Sequence, residues 1–456
     1  MTTFIKSELA QPLNSRDELT DYLLRGARVD ELRFIGTESE TLVIDQQTGQ
    51  AADYPQIVHL LQRLNADGGW EPIVEQGNLL GLVGEHSSIT LEPGGQLELS
   101  GRLCRDVHCC ASEFLLHVQQ VVAAGHQLQL GFLGLGVLPH TPLEQIATLP
   151  KQRYAVMTDY MPQVGDMGLR MMKQSAGLQL NLDFTSEDDC MAKLRLAQLL
   201  SPVLYGLFAN SPLLEGQPSG FLSTRGEIWS RTDQQRTGLI PALHHTEARL
   251  TDYVDFALQV PMYFIVRDDT LLPLTGRPLT FSDFMAHGYA GHRATLADWD
   301  LHLSTIFTEV RLRPQIEIRS VDSLPPAFCL APAALVKGLF YDSASTSAAL
   351  ALFDDLEFST LQQLHRDSWR LGLKARTPQA TLQEYALELL RLSREGLRRQ
   401  RLRPAAEDEH PFLDSIQSIA DSGVTLAEQL LQHWPPDDTA TQLALLFEHC
   451  GYHYDT

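Results

Sequence analysis

The stretch GLQLNLDF, residues 177–184, alternates apolar and polar side chains along almost its whole length. Successive side chains of a β-strand point to opposite faces, so this alternation is typical of a strand with one face on a core. The apolar face carries Leu178, Leu180, Leu182 and Phe184, and the polar face carries Gln179, Asn181 and Asp183. A strand face that is simply exposed to water carries Lys, Thr and Ser as readily as amides and carboxylates. A face made of two amides and a carboxylate therefore needs a reason.

Two further segments repeat this pattern. They are ELRFIGTESETLVID at residues 31–45 and PQIEIRS at residues 314–320. The polar face of the first carries Glu38 and Glu40, and that of the second carries Gln315, Glu317 and Arg319. The sequence therefore predicts a sheet with one apolar face and one face rich in Glu, Gln and Asn.

The rest of the chain supplies helices and short strands. Two predicted strands meet at the turn Pro93-Gly94-Gly95, which Glu92 and Glu98 flank. Helical periodicity is predicted after residue 54, after residue 107 and over residues 187–208, and it dominates beyond Pro326. Because there is no internal repeat and no long flexible linker, we expect one domain.

Composition limits the possible partners. The chain has 456 residues and a formal net charge of −22 with histidine neutral. A surface this acidic repels nucleic acid and anionic membranes, so we expect neither as a partner. No stretch approaches about 18 uninterrupted apolar residues, and the N-terminus lacks the basic start of a secretory signal. We expect a cytoplasmic protein.

The cysteines fit that location. They are Cys104, Cys109, Cys110, Cys190, Cys329 and Cys450, and none forms a C-x-x-C motif. We therefore expect reduced thiols.

A face lined with carboxylates repels itself unless cations neutralise it. Oxygen ligands of this kind suit Mg²⁺ or Mn²⁺, with phosphate completing the coordination. Alternation alone also fits a plain hydrated face, so both interpretations stay open here. The sequence lacks the P-loop, Rossmann, H-E-x-x-H and G-x-S-x-G motifs, so any nucleotide must be held by metal and arginine.

A second informative region is FANSPLLEGQPSGFLSTRGEIWSRTDQQRTG, residues 208–238. We interpret it as a loop, since it is rich in Gly, Pro, Ser and Asn. It nevertheless carries three arginines and a tryptophan in an acidic protein. Those arginines suit either a solvated loop or the bidentate capture of a carboxylate or phosphate, and the sequence favours neither.

These motifs, with VPMYF at residues 260–264, resemble in their order the plant and proteobacterial type of glutamate–cysteine ligase over roughly residues 30–430. The resemblance implies an α+β fold of the glutamine-synthetase type, with a curved, largely antiparallel sheet and helices packed outside. It implies one catalytic domain over residues 1–456, with a sheet-based core at about 30–325 and a helical part at about 326–456. A monomer or homodimer is expected.

The resemblance also implies an activity. Family members use ATP and Mg²⁺, with Mn²⁺ possible, to phosphorylate the γ-carboxylate of glutamate. The amine of cysteine then attacks the acyl phosphate and gives γ-glutamylcysteine, the first step towards glutathione. The expected partners are therefore small molecules, namely ATP, glutamate and cysteine or another amine.

Site residues follow from the resemblance position by position. The metal-binding glutamates would be Glu38, Glu40, Glu92, Glu98 and Glu317. The residues beside ATP would be Gln179, Asn181 and Arg319, and those binding the substrates would be Arg225, Arg236, Trp229 and Tyr263. Arg319, Arg236 and Glu98 would serve the phosphoryl transfer itself.

Departures from the family pattern motivate alternatives. Ser39 replaces a usual histidine, and His86-Ser87 replaces Lys-Gln. Gln174 replaces an arginine, and if residues 171–175 form a strand, the neighbouring Lys173 lies on its opposite face. The chain could therefore be a related ligase that joins glutamate or another acid to a different amine, or a nucleotide- or metal-binding regulatory protein with weakened activity. Residues 272–292 lack the cysteines of a redox hairpin known in plant members, so that switch is not expected.

Overall fold

The computed structural model describes residues 9–28, 33–66, 68–268, 270–276, 279–400, 408–436 and 438–453. Within these ranges the strands are β1 (Ile35–Asp45), β2 (Glu71–Glu75), β3 (Asn78–Val83), β4 (Ser88–Leu91), β5 (Leu97–Ser100), β6 (Leu130–Leu133), β7 (Gly177–Leu182), β8 (Leu213–Leu214), β9 (Gln217–Pro218), β10 (Thr237–Gly238), β11 (Phe264–Arg267), β12 (Thr270–Pro273), β13 (Phe307–Thr308), β14 (Val310–Leu312) and β15 (Ile316–Asp322). The predicted first strand thus begins at Ile35, and Glu31 and Leu32 lie outside the described residues.

Helices cover more of the same ranges than strands do. They are α1 (Asp17–Leu24), α2 (Tyr54–Ala66), α3 (Val107–Leu128), α4 (Gln152–Val164), α5 (Gly168–Gln174), α6 (Glu187–Leu207), α7 (Thr224–Ser230), α8 (Leu250–Gln259), α9 (Phe281–His287), α10 (Leu296–Leu303), α11 (Ala331–Phe340), α12 (Ser343–Ala351), α13 (Phe358–Leu371), α14 (Leu382–Arg399), α15 (Asp414–Ser422), α16 (Leu426–His433) and α17 (Thr439–Cys450). Short 3₁₀ turns cover Leu143–Gln145, Pro241–His244, Pro326–Phe328, Gly372–Lys374 and His410–Leu413.

Nine of the strands form the central sheet of the described structure, in the order β14-β15-β7-β1-β5-β4-β3-β2, with β6 paired to the second half of β1. Every pair in this sheet is antiparallel. This confirms the predicted α+β class with a largely antiparallel sheet. Strand β1 lies at the centre of the sheet, since its first half pairs with β5 on one side and with β7 on the other.

The apolar face of the sheet is covered by the long helix α6. Leu178, Leu180 and Leu182 of β7 are at most 1% exposed there. The helix begins where the Ser186 hydroxyl accepts a hydrogen bond from the amide of Asp189, and three acidic residues in its first turn favour the helix dipole. Its position leaves the opposite, polar face of the sheet for the site.

The helical C-terminal part packs through one very close approach. A Cβ at Gly396 of α14 would lie only 1.9 Å from the carbonyl oxygen of Gly338 in α11, so neither position tolerates a larger side chain. The chain then returns beneath β1, where the Thr41 hydroxyl donates a hydrogen bond to the phenol oxygen of Tyr452 at 3.1 Å. The predicted helical character beyond Pro326 is confirmed.

The expectation of reduced thiols is wrong for one pair. Cys104 and Cys109 form a disulfide, and their Cα atoms lie 5.7 Å apart. Cys104 is held by a backbone bridge to Ile35, while Cys109 lies in the first turn of α3, so the turn between them brings the two sulfurs together. A spacing of five residues matches no standard motif, so the pairing could not be predicted from the sequence. The other four cysteines are free and buried.

Candidate active site

The strand registers bring the predicted carboxylates to one face of the sheet. Glu40 lies opposite Glu98 across β1 and β5, and Glu38 lies opposite Gln179 across β1 and β7. Glu317 of β15 lies opposite Asn181. Because residues that face each other across a ladder share a face, these side chains form a continuous row over four strands.

Amide side chains orient this row. The amide of Asn181 donates to Glu38 at 2.9 Å, and the amide of Gln179 donates to Glu40 at 2.9 Å. Thr90 on the neighbouring strand β4 donates its hydroxyl to Glu98 at 2.8 Å. The Gln and Asn residues predicted beside ATP therefore first position the glutamates. Asp183, which shares their predicted face, lies past the end of β7 and pairs with Arg28 instead.

Burial and mutual repulsion change the acidity of the row. Burial, reinforced by the neighbouring carboxylates, raises the pKa of Glu38 and of Glu40 to about 8. The same two causes raise the pKa of Glu92. Burial also acts to raise the pKa of Glu98, but hydrogen bonds with Thr90, Glu38 and Glu92 act to lower it. Burial and repulsion thus favour the protonated form of Glu38, Glu40 and Glu92 when no cation is bound.

These residues fit a divalent cation by their chemistry. Hard carboxylate oxygens that repel one another in a buried row are the donor set that Mg²⁺ or Mn²⁺ prefers. Over the described ranges, however, no three His, Cys, Asp or Glu side chains are already arranged as a metal-binding group. The glutamates engage amides, hydroxyls and each other, so metal binding would require them to exchange these partners.

Two arginines hold Glu317 at the end of the row. Arg319 donates to Glu317 and, at 2.7 Å, to Gln179. Arg311 of β14 lies opposite Glu317 and forms a two-pronged ion pair with it, with both N–O distances at 2.8 Å. Burial acts to raise the pKa of Glu317, but the two guanidiniums lower it below its usual value. Arg311 was not predicted, since its role depends on the register of the β14–β15 hairpin.

A cavity opens beside the row. Its polar wall is formed by Glu40, Glu92, Glu98, Gln179 and Arg319, and its apolar wall by Tyr154, Met157, Met171, Met172, Trp229 and Phe307. The rings of Trp229 and Phe307 lie 5.6 Å apart, and the Arg319 guanidinium lies 5.6 Å from the Trp229 ring centre. Trp229 therefore lines this cavity beside Arg319, and its predicted contact with the amino acid substrate stays a prediction.

The same cavity is lined by Arg153, which the sequence analysis missed. This residue is 4% exposed, its guanidinium lies 5.8 Å from the ring centre of Phe264, and its Nε has no hydrogen-bond partner in the described structure. A buried guanidinium at the wall of a cavity is suited to bind a carboxylate. In the sequence it appears only as a basic residue in the first turn of α4, two positions after Lys151.

Arg225 and Trp229 lie on helix α7, so residues 208–238 are not a continuous loop as predicted. Arg225 is 2% exposed and donates to the carbonyl oxygen of Arg319 at 3.0 Å. A Cβ at Gly177 would lie 2.5 Å from this guanidinium, so the glycine makes room for it. Gly177 shares its strand face with Gln179, so Arg225 lies on the polar face of the sheet, 5.9 Å from the ring centre of Trp229 and outside the cavity lining.

Arg236 and Tyr263 are also placed away from the cavity. Arg236 is fully buried and donates to Asp233 at 2.7 Å and to the carbonyl oxygen of Pro261 at 2.7 Å. Its guanidinium lies 3.8 Å from the ring centre of Tyr263, which is 1% exposed. The two residues form one packed unit, and protein groups already surround the guanidinium.

Comparison with known proteins settles the family. The family model described as glutamate–cysteine ligase family 2 matches residues 34–448. The chain belongs to glutamate–cysteine ligase family 2. It is 39% identical over 428 residues to a chloroplastic glutamate–cysteine ligase B of Oryza sativa subsp. japonica, covering 93% of this chain and 84% of that protein. A chloroplastic glutamate–cysteine ligase of Arabidopsis thaliana is 38% identical over 426 residues, covering 92% of this chain and 80% of that protein.

Solved structures agree on the fold. A glutamate–cysteine ligase from Francisella tularensis, crystallised with AMP, aligns with a TM-score of 0.58 at 13% identity, covering 93% of this chain and 89% of that one. A bifunctional glutathione synthetase from Pasteurella multocida aligns with a TM-score of 0.54 at 11% identity, covering 96% and 54% respectively. Among the described residues, no helix is long and apolar enough to cross a membrane.

The family departure at Gln174 lies outside the cavity lining. Residues 168–174 form helix α5, so the expectation of a strand here was wrong. Gln174 is fully buried, donates to the carbonyl oxygen of Thr141 at 2.9 Å and accepts from Arg170 at 2.9 Å. Lys173 donates to the carbonyl oxygen of Ile146 at 2.8 Å. The change from the family's arginine to Gln174 therefore affects the packing of α5. Gln174 itself does not contact the row.

Proposed function

We propose that the protein joins the γ-carboxylate of glutamate to the amine of L-cysteine, giving γ-glutamylcysteine, ADP and phosphate. Family membership supports this activity. The observation that carries it is the buried glutamate row with Arg319 at its end and a cavity with a buried arginine beside it. Such a site has what phosphoryl transfer to a carboxylate needs, namely charge neutralisation and alignment without a protein nucleophile.

We assign the cation site to Glu38, Glu40, Glu92, Glu98 and Glu317, with Mg²⁺ as the ion. When bound, the metal would neutralise the phosphate oxygens of ATP and the charge that develops on them. Exchange of the shared protons for a cation would relieve the repulsion that raises the pKa of Glu38 and Glu40.

Other residues of the chain would bind the substrates and support the site. Arg319 would bind oxygens of the transferring phosphoryl group, because its guanidinium lines the cavity at the end of the row. Arg153 would bind a substrate carboxylate, and Trp229 would shield the acyl phosphate from water. Arg225 would hold the backbone of β15 at Arg319, and Arg236 would hold the segments of Asp233 and Pro261 together.

A ligase that uses a different amine has little support from the structure. Gln174, which motivated that alternative, lies outside the cavity lining and engages backbone and Arg170. Residues 86 and 87 lie in the turn between β3 and β4, also outside that lining. Cysteine therefore stays the proposed amine.

The experiment is a single mass-spectrometric assay. Purified protein with ATP, Mg²⁺ and glutamate receives an equimolar panel of amino acids and small amines that includes cysteine. We expect a product at the mass of γ-glutamylcysteine together with ADP. A different conjugate would refute the amine assignment, and AMP in place of ADP would refute the acyl-phosphate route.

A further inference from the structure

A buried acid outside the glutamate row connects the row with a wall of the cavity that Trp229 lines, the Trp229 cavity. This acid is Asp322, the last residue of β15, and the same strand carries Glu317 and Arg319. Asp322 is 1% exposed and does not belong to the cavity lining. Phosphoryl transfer as proposed makes no direct use of it.

Three donors converge on the Asp322 carboxylate. One oxygen accepts from the amide of Asn210 at 2.9 Å and from the hydroxyl of Ser211 at 2.7 Å. The other oxygen accepts from the hydroxyl of Ser223 at 2.9 Å. Burial raises the pKa of Asp322, while the Arg225 guanidinium and these donors act to lower it. The carboxylate is thus held by groups from the segment between α6 and α7.

The two serines also bind the first turn of α7. The Ser211 hydroxyl oxygen accepts from the amide of Arg225 at 3.2 Å, and the Ser223 hydroxyl oxygen accepts from the amide of Gly226 at 3.3 Å. A hydroxyl has a single proton, so a hydroxyl that donates to a carboxylate keeps its lone pairs for other donors. The carboxylate of Asp322 therefore fixes both hydroxyls as acceptors and, through them, the position at which α7 begins.

Helix α7 carries Trp229 one turn after Arg225. The Arg225 guanidinium donates to the carbonyl oxygen of Arg319, whose own guanidinium lies 5.6 Å from the Trp229 ring centre. The same helix packs closely on α13, since a Cβ at Gly226 would lie 2.3 Å from the Trp369 ring. The serine contacts and this packing together place the short helix, so a shift of its first turn displaces the Trp229 ring.

We propose that Asp322 is a positioning residue, which through the two serine hydroxyls holds Trp229 against Arg319 and so keeps water from the acyl phosphate. With the ring in place, the amine of cysteine attacks the acyl carbon and phosphate leaves. With the ring displaced, water attacks the same carbon, phosphate leaves and glutamate is regenerated, so that ATP is hydrolysed without a ligated product. This assignment rests on the proposed ligase function.

The test compares Asp322→Asn with the matched control Asp298→Asn. Asp298 is also 1% exposed, and it accepts hydrogen bonds from Thr295 and Arg267 in the first turn of α10, a helix that does not line the cavity. Asparagine has the shape of aspartate but brings N–H donors, which oppose the donors already present. ADP and γ-glutamylcysteine are measured in the same reactions, and thermal melts check that each variant is folded.

We expect Asp322→Asn to lower γ-glutamylcysteine formation by about tenfold while ADP formation stays within about threefold of wild type. Ser223→Ala removes one link between the carboxylate and α7, so it should raise the ratio of ADP to γ-glutamylcysteine in the same direction. Asp298→Asn can act only through stability, so it should lower both products equally and leave this ratio unchanged.

A second measurement does not depend on turnover. Acrylamide quenching of Trp229 is obtained as the difference between each protein and the same protein with Trp229→Phe. We expect Trp229 to become more accessible to acrylamide in Asp322→Asn and in Ser223→Ala. Its accessibility in Asp298→Asn should equal that of the wild type.

Three outcomes overturn the positioning role. They are a wild-type ratio of ADP to γ-glutamylcysteine in Asp322→Asn, unchanged quenching of Trp229 in that variant, and an equal rise of the ratio in Asp298→Asn. The quenching also separates this inference from the proposed function. A wild type that forms no γ-glutamylcysteine would refute the function, whereas the quenching would still show whether Asp322 positions Trp229.

Discussion

Replacing Arg311 by methionine should strongly destabilise the protein. Arg311 does not line the cavity, so the effect would not depend on substrate contacts. Arg311 has no solvent exposure, and both prongs of its guanidinium bind Glu317. Its remaining nitrogen donates to the carbonyl oxygens of Ser304 at 3.3 Å and Ile306 at 3.2 Å. Methionine fills a similar volume but leaves the Glu317 carboxylate with Arg319 as its remaining cation.

The size of the effect follows from this burial. Removal of one partner from a buried ion pair typically costs about 3–5 kcal/mol, because the other charge stays buried. The hydrogen bonds lost at the two carbonyls add to this, while the retained Arg319 contact offsets part of it. We expect the free energy of unfolding to fall by about 4 kcal/mol. The double variant Arg311→Met/Glu317→Gln removes both charges and should recover about 2 kcal/mol of that loss.

Urea unfolding followed by tryptophan fluorescence measures these differences on the wild type, the single variant and the double variant. The control is Arg391→Met, since Arg391 forms ion pairs with Glu388 and Glu395 on an exposed helix face. Exposed pairs contribute less than about 1 kcal/mol, so this variant should remain close to wild type. The reasoning is refuted if Arg311→Met loses less than about 1 kcal/mol, or if the double variant is no more stable than the single one.

Three further outcomes test the site. Glu98→Gln should lower the rate of γ-glutamylcysteine formation by about a thousandfold with an unchanged circular dichroism spectrum, because it removes a metal ligand; activity within about tenfold of wild type would contradict this. Arg153→Met should raise KM for glutamate by about 10- to 100-fold while KM for ATP changes by less than about threefold, and equal changes in both would argue against a carboxylate contact. Since folding raises the pKa of Glu38 and Glu40 from 4.5 to about 8, the metal-free protein should lose stability as pH rises between these values. Added Mg²⁺ should raise Tm more at pH 8 than at pH 6, whereas a shift independent of pH would refute this exchange of protons for metal.

The sheet and its polar face could be predicted because they depend on local sequence. Strict alternation in residues 177–184 fixes which side chains share a face, whatever the strand pairs with. The grouping of Glu38 with Glu317 needed more than alternation, because it requires β7 to lie between β1 and β15. The family resemblance supplied that grouping, and the observed registers confirm it.

Local sequence patterns could not predict which of the arginines lines the cavity. Arg153, Arg225 and Arg236 have the same chemistry in the sequence, but only the first lines the Trp229 cavity. Which arginine reaches a cavity depends on helix packing and on room left by residues far away, such as Gly177 under Arg225. The expected strand over residues 171–175 failed for a related reason, since its apolar run fits a short helix as well as a strand.

The hydrogen bond between Thr41 and Tyr452 sets an order of assembly during synthesis. The two residues are separated by 411 positions, and the strand that carries Glu38 and Glu40 also needs partners from residues 177–182. Contacts between such distant segments form late, because each closes a long loop at an entropic cost. A nascent chain therefore carries the first two glutamates long before their surroundings exist, and the strand that bears them gains its contact with Tyr452 only after residue 452 has left the ribosome.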